Sequence, residues 1–171
     1  MSLPLMFENV DIESGPKREA VELFERAYEA QQAGDFERAI ELYRRSLAIY
    51  PTAEAHTFLG WVFSFQERYD EAIEECRAAI RVDSSFGNPY NDIGSYLIAK
   101  GDMLSCVKWF KLALTAPRYE SYAFPHFNLG RVYETRYRLL DAARHYGLAL
   151  REQPGFAQAM QALRRVQSRL N

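Results

Sequence analysis

Three histidines and two cysteines are the side chains of this 171-residue sequence best suited to move a proton, ligate a metal or attack a carbonyl. Their spacing suits none of these tasks. A zinc site needs closely paired Cys or His ligands, and His56, Cys76, Cys106, His126 and His145 form no such pairs along the chain. The sequence has no glycine-rich phosphate loop and no nucleophile elbow. Its adjacent carboxylates, Glu74 and Glu75, fall on an expected outward helix face rather than in a closed pocket. Neither catalysis nor a metal or cofactor site is expected. Cys76 and Cys106 read as small buried apolar residues in a reducing compartment, so a cytoplasmic location is expected.

The residues that repeat are of a different kind. A small residue is followed twelve positions later by a second, and four further on by an aromatic residue or a cysteine. The first position holds Ala27, Gly60, Gly94 and Gly130, the second Ala39, Ala72, Cys106 and Ala142, the third Tyr43, Cys76, Phe110 and Tyr146. The intervals of 33, 34 and 36 residues predict stacked helical hairpins. An interior helix glycine costs about 1 kcal/mol against alanine, so three in register argue for close helix packing.

Helix starts and stops agree with that period. Pro16 suits a first helical turn, and Ala20, Leu23, Ala27 and Ala30 follow at helical spacing. Gly34-Asp35 breaks the run, and a second helix extends from Phe36 to about Tyr50. Thr52 is an expected N-cap. Asn88 reads as a cap before Pro89, and Gly101-Asp102 as a turn. A ninth helix is expected near 156–170, with Phe156, Met160, Leu163, Val166 and Leu170 as its inner stripe.

The apolar fraction of 48% is ample for a core, and 9 glycines and 7 prolines are too few for a disordered chain. No stretch suits a membrane span or a secretory leader. A formal charge of -2 gives no general attraction to nucleic acid. Charge is unevenly placed, however. Residues 123–171 carry eight arginines against Glu134, Asp141 and Glu152, a balance of +5 that leaves -7 on the remainder. That end reads either as solvated helix faces or as a surface for an acidic partner.

These residues resemble the tetratricopeptide repeat family. His56, Leu59-Gly60, Phe63, Ala72 and Cys76 fit its pattern, as do Tyr90, Ile93-Gly94, Leu97, Cys106 and Phe110. His126, Leu129-Gly130, Tyr133, Ala142, Tyr146 and Pro154 form another match, and Leu23, Ala27, Ala39, Tyr43 and Pro51 the first, with Arg26 where leucine is expected. The resemblance implies an all-α fold, a right-handed α-solenoid superhelix of four helical hairpins plus a C-terminal capping helix. Residues 1–15 would be an extended lead and 16–171 a single domain. The repeats would span about 20–52, 53–86, 87–122 and 123–156, and the cap 157–170.

The resemblance also implies that first helices line a concave groove that holds a peptide or helix of a partner protein. Carried across, the groove positions are Phe24, Tyr28, Thr57, Trp61, Asn88, Asn91, Asp92, Ser95, Phe127, Asn128 and Arg131. Aromatic residues would anchor apolar side chains, the asparagines would bond a ligand backbone, and Arg131 would pair an acidic group. Part of the family clamps a C-terminal carboxylate with lysine, asparagine and arginine. Here the corresponding positions hold Phe24, Tyr28 and Phe58, so that mode is not expected. The expected role is an interaction scaffold. The alternatives are a self-associating structural protein, whose apolar lead Leu3 to Ile12 would insert into its own groove or that of a second copy in a homodimer, or cover the first repeat, and a dedicated chaperone for a secreted or assembling subunit.

Overall fold

The computed structural model describes residues 15–170, so the N-terminal lead and its expected insertion or dimer role lie outside the described residues. The described chain forms nine α-helices. They are α1 (Gly15–Gln32), α2 (Phe36–Ile49), α3 (Ala53–Phe65), α4 (Tyr69–Val82), α5 (Asn88–Ala99), α6 (Cys106–Ala113), α7 (Ala123–Thr135), α8 (Leu139–Glu152) and α9 (Ala157–Ser168). The fold is an all-α helical repeat. The chain divides into two compact units, one ending at Ser84 with α1–α4, the other beginning at Ser85 with α5–α9. Among the described residues, no helix is long and apolar enough to cross a membrane.

Local chemistry sets the helix starts. The Asp35 carboxylate accepts from the Arg38 backbone N–H, and the Thr52 hydroxyl oxygen from that of Ala55, both at 3.1 Å. Each bond satisfies a donor that the first turn would otherwise leave open. Asn88 departs from its expected role: α5 begins with it, Gly87 holds the cap position, and Asn88 is the first helical residue. The turns between paired helices share one device. Gly34, Glu67, Gly101 and Tyr137 all adopt positive φ, at 79°, 59°, 84° and 57°. Each stands seven residues after the first small residue of its repeat. Glycine takes this conformation without strain, whereas Glu67 and Tyr137 do not.

Inside each hairpin, the repeated small residue faces the repeated ring. A Cβ on Gly94 would come within 2.6 Å of the Phe110 ring, and one on Gly130 within 2.5 Å of the Tyr146 ring. Gly60 is less crowded, since a Cβ would meet the Ala72 carbonyl oxygen at 3.1 Å and Cys76 Sγ at 3.4 Å. Both cysteines are free and buried, and burial pushes the Cys106 thiol pKa up. In the second unit the core joins Cys106, Phe110, Leu129, Val132, Ala142 and Tyr146 to Ala162 and Val166 of α9.

Two further pairings recur at fixed separations. Tyr43 donates its hydroxyl to Gln31 Oε1, and Tyr146 donates to Glu134 Oε2, both at 2.8 Å and across twelve residues. A buried phenol needs such an acceptor. The third repeat has the apolar pair Ile98 and Phe110 at the same separation. Nineteen residues apart stand His56 with Glu75, at 2.7 Å, and His126 with His145, at 3.2 Å between their Nδ1 atoms. Tyr90 and Trp109 take the same positions, with ring centroids 6.3 Å apart. Glu75 therefore does not face outward as expected. It turns back to the first helix of its hairpin because His56 supplies a polar partner there.

The histidine pair makes stability depend on pH. Burial lowers both pKa values, and that of His145 falls to about 4, with His126 and Arg144 adding to the effect and Asp141 opposing it. Arg151 depresses His126 further, and Glu152 opposes. An Nδ1–Nδ1 contact holds one shared proton, and a second would set two N–H groups against each other. Groups depressed in the folded state bind more protons when unfolded, where the value is about 6.5. Stability is then full above about pH 6.5 and falls as the pH drops toward about 4. Thermal midpoints measured across that range should show the decline, and His145→Gln should flatten it. An equally steep decline in the variant would remove the pair as its source.

Two other expectations give way to packing. Met160 and Leu170 are 38% and 42% exposed, while Phe156, Ala159, Ala162 and Val166 are buried. The inner stripe of α9 follows 156, 159, 162 or 163, and 166, so Met160 and Leu170 rotate outward. Arg26 is exposed, where its repeat equivalents Leu59, Ile93 and Leu129 are buried. The loop after α6 also docks more closely than its sequence suggests. Arg118 donates its backbone N–H to Ser85 at 2.9 Å, and Gly87 donates to Arg118 at 3.0 Å. A Cβ on Gly87 would collide with the Tyr119 side chain.

Candidate partner-binding surface

The expected binding residues fall into two groups, one in each unit. In the first unit Phe24 and Thr57 belong to the core, at 2% and 0% exposure. Phe24 packs edge-on to Tyr43 and Phe58, at 5.4 and 5.2 Å. Thr57 donates its hydroxyl to the Ala53 carbonyl at 2.7 Å, a bond that a buried helical threonine makes within its own turn. Neither leaves surface for a ligand, which corrects their expected placement. Both sit on the stripe that closes the hairpin, and a 3.6-residue period places neighbouring positions on the core side.

Tyr28 and Trp61 differ. Both are partly exposed, and they flank the buried Phe58 ring at centroid distances of 5.6 and 4.4 Å. The result is an aromatic ledge on α1 and α3 whose base is core and whose edges reach water.

In the second unit, α5 and α7 bring Asn91, Ser95, Asn128 and Arg131 together. Asn128 Nδ2 lies 3.4 Å from Asn91 Oδ1 and 3.3 Å from Ser95 Oγ. Arg131 Nη1 donates to Asn128 Oδ1 at 3.4 Å. Asn91 Nδ2 reaches Asp92 Oδ1 at 3.4 Å, and Ser95 Oγ donates to the Asn91 carbonyl at 3.1 Å. Phe127 supports the end of this track. Its ring packs on Phe156 at 4.9 Å and on Tyr146 at 5.7 Å, with the Arg131 guanidinium 6.0 Å from its centroid. Asn88 is half-buried at the start of α5.

The amide bonds of this track are long. N–H···O bonds usually measure about 2.9–3.0 Å, and three of those around Asn128 measure 3.3–3.4 Å. Such groups can shorten their bonds onto a ligand's backbone. Among the described residues, no group of three His, Cys, Asp or Glu is placed to hold a metal.

This geometry, with paired helices in register, matches known proteins. Residues 24–85 match the family model described as Tetratricopeptide repeat. The fold is that of tetratricopeptide repeat proteins. No curated protein matches the chain. Among solved structures, one described as Pseudomonas aeruginosa pilF shares 22% identity, covers 91% of this chain and 71% of its own, and superposes with a TM-score of 0.84. YrrB, described as having an unusual peptide-binding site, shares 20% identity over 92% of this chain and 80% of its own, at a TM-score of 0.68. The first repeat domain of Spaghetti (RPAP3), bound to the HSP90 peptide SRMEEVD, shares 21% identity over 70% of this chain and 93% of its own, at 0.64.

Residues outside the expected set complete the surface. Glu134, Tyr137, Arg165 and Arg169 line an open cleft with Arg131. The arginine surplus of residues 123–171 was the sequence signal for it. What joins these residues is the approach of α9 to α7, which the cap's helical period alone does not reveal.

Proposed function

We propose that this chain is a protein-interaction scaffold, without catalysis, that holds a segment of a partner protein against the exposed side chains of its first helices. The observation that carries the reading is the polar track of Asn91, Ser95, Asn128 and Arg131. Asn128 is 9% exposed in the middle of a helix, where an apolar residue would pack without any polar requirement. Both of its N–H donors are engaged, on Asn91 and Ser95, while its Oδ1 accepts one bond from Arg131 and keeps an acceptor position that the N–H of a peptide backbone can use. The Tyr28–Trp61 ledge supports the same reading, because partly exposed aromatic residues on a rigid base are frequent binding anchors. The peptide site of YrrB and the peptide complex of RPAP3 are precedents on this fold.

Affinity capture tests it. The native chain, Trp61→Ala and Asn91→Ala should unfold at comparable temperatures, and the variants should lose at least one protein that the native chain retains. A hot-spot aromatic contributes about 2–4 kcal/mol to binding, so the loss through Trp61→Ala should exceed thirtyfold, roughly, in affinity. Identical captured proteins in all three samples would refute the assigned surface.

A further inference from the structure

The cleft between α7 and α9 has an open volume of about 520 Å³ and is lined by Arg131, Glu134, Thr135, Tyr137, Arg165 and Arg169. Three guanidiniums meet one carboxylate there. That carboxylate is already engaged. Arg165 donates Nε to Glu134 Oε1 at 2.9 Å and Nη2 to Oε2 at 2.8 Å. Tyr146 donates its hydroxyl to Oε2 at 2.8 Å, and Arg169 Nη1 reaches Oε1 at 3.3 Å. Four donors fill the lone pairs of one carboxylate. The Glu134 side chain is 13% exposed, whereas those of Arg165 and Arg169 are 52% and 40% exposed. Glu134 thus fixes two guanidiniums and cancels one charge, which leaves a surplus of two positive charges at the cleft. Arg131 is exposed beside them.

Tyr137 is the second observation. It is 81% exposed and holds φ at 57°, where two of the other three turns have glycine. A non-glycine residue there costs about 1–2 kcal/mol. Packing does not account for so exposed a ring. Its position does bring it to the cleft wall, 5.9 Å from the Arg169 guanidinium. The positive φ belongs to the turn that all four hairpins share, Glu67 included, so what Tyr137 adds is an exposed aromatic ring at the cleft wall.

We propose that this cleft binds a short acidic segment of a partner polypeptide. One carboxylate pairs with Arg131 and another with the Arg165–Arg169 pair, and the Tyr137 ring covers the segment between them. The proposal rests on the reading of the chain as a protein-binding scaffold and adds the chemistry of the partner. Complementarity of charge selects the occupant: the surplus is local, while the chain outside residues 123–171 carries -7.

The test uses the full chain and fluorescence anisotropy with a labelled eight-residue peptide of alternating Glu and Gly, beside its Gln counterpart. The acidic peptide should bind and the neutral one should not. Arg131→Gln and Arg169→Gln should each weaken binding about tenfold, since each removes a charge-assisted pair. Arg144→Gln and Arg151→Gln remove the same charge outside the cleft and should change the dissociation constant by less than about twofold. Arg169→Gln leaves Arg165 and Tyr146 on Glu134, and circular dichroism verifies that each variant is folded. Equal weakening by cleft and outside variants, equal binding of both peptides, or no acidic binding would overturn the proposal. So would salt-sensitive self-association in sedimentation that Arg131→Gln abolishes, because the occupant would then be a second copy. Partner capture sensitive to Trp61→Ala and Asn91→Ala would stand through any of these results, so the two readings fail separately.

Discussion

Gly130→Ala should lower the thermal midpoint, and Gly147→Ala should raise it. Both glycines lie inside helices, in α7 and α8, and alanine is the better helix former at both by about 1 kcal/mol. Their surroundings differ. At Gly147 nothing lies within 4 Å of the added Cβ, so the propensity gain is realised. At Gly130 the Cβ would stand 2.5 Å from a Tyr146 ring that is fully buried and held through its hydroxyl by Glu134. Such overpacking costs about 1–3 kcal/mol, occasionally more. The ring cannot swing away without breaking its bond to a carboxylate that three cationic or phenolic groups already share. A net loss of up to about 2 kcal/mol is expected for Gly130→Ala, against a gain of up to about 1 kcal/mol for Gly147→Ala. For a chain of this size each kcal/mol moves the midpoint by about 2–4 °C. Shifts of the same sign would mean that Gly130 is not a contact point.

Phe110→Ala should cost still more, about 3–5 kcal/mol, because it empties the space of a fully buried ring. The informative result is its coupling to Gly94→Ala. In the native chain an alanine Cβ at 94 meets the Phe110 ring at 2.6 Å and destabilises the hairpin. With the ring removed, the same methyl enters open space and adds helix propensity. The effect of Gly94→Ala should therefore change sign between the two backgrounds. A double-mutant cycle by urea denaturation should give a coupling of about 1–3 kcal/mol. Additive effects would separate the two residues and undo the account of hairpin packing.

These contacts were legible in the sequence as a pattern. Glycines at 60, 94 and 130 precede their partners Cys76, Phe110 and Tyr146 by sixteen residues each time, and helical periodicity fixed which faces meet. The nineteen-residue pairs are not legible in that way: His56, Tyr90 and His126 stand at equivalent positions, but the sequence alone puts Glu75 on an outward face and gives His145 no partner. Other features depend on rotation about a helix axis or on the approach of separate elements. Phe24 and Tyr28 are four residues apart on α1, yet one is core and the other partly exposed. A turn of a few tens of degrees decides between them. Met160 and Leu170 went outward for the same reason. The cleft needed α9 to reach α7, and the Gly87 contact needed the 117–119 loop to fold back. Neither follows from local periodicity. Tyr137 shows a further limit: a tyrosine gives no warning of positive φ, and only its register with Gly34 and Gly101 does.

The proposal that α5 and α7 present the partner-binding face is tested most directly by site-specific photocrosslinking. A benzophenone amino acid placed at Asn88, one turn before Asn91 on the same face of α5, is compared with one placed at Lys111, an exposed position of α6. A captured partner should crosslink at residue 88 and not at residue 111. Crosslinking at Lys111 alone, or equally at both positions, would contradict a binding face built from the first helices.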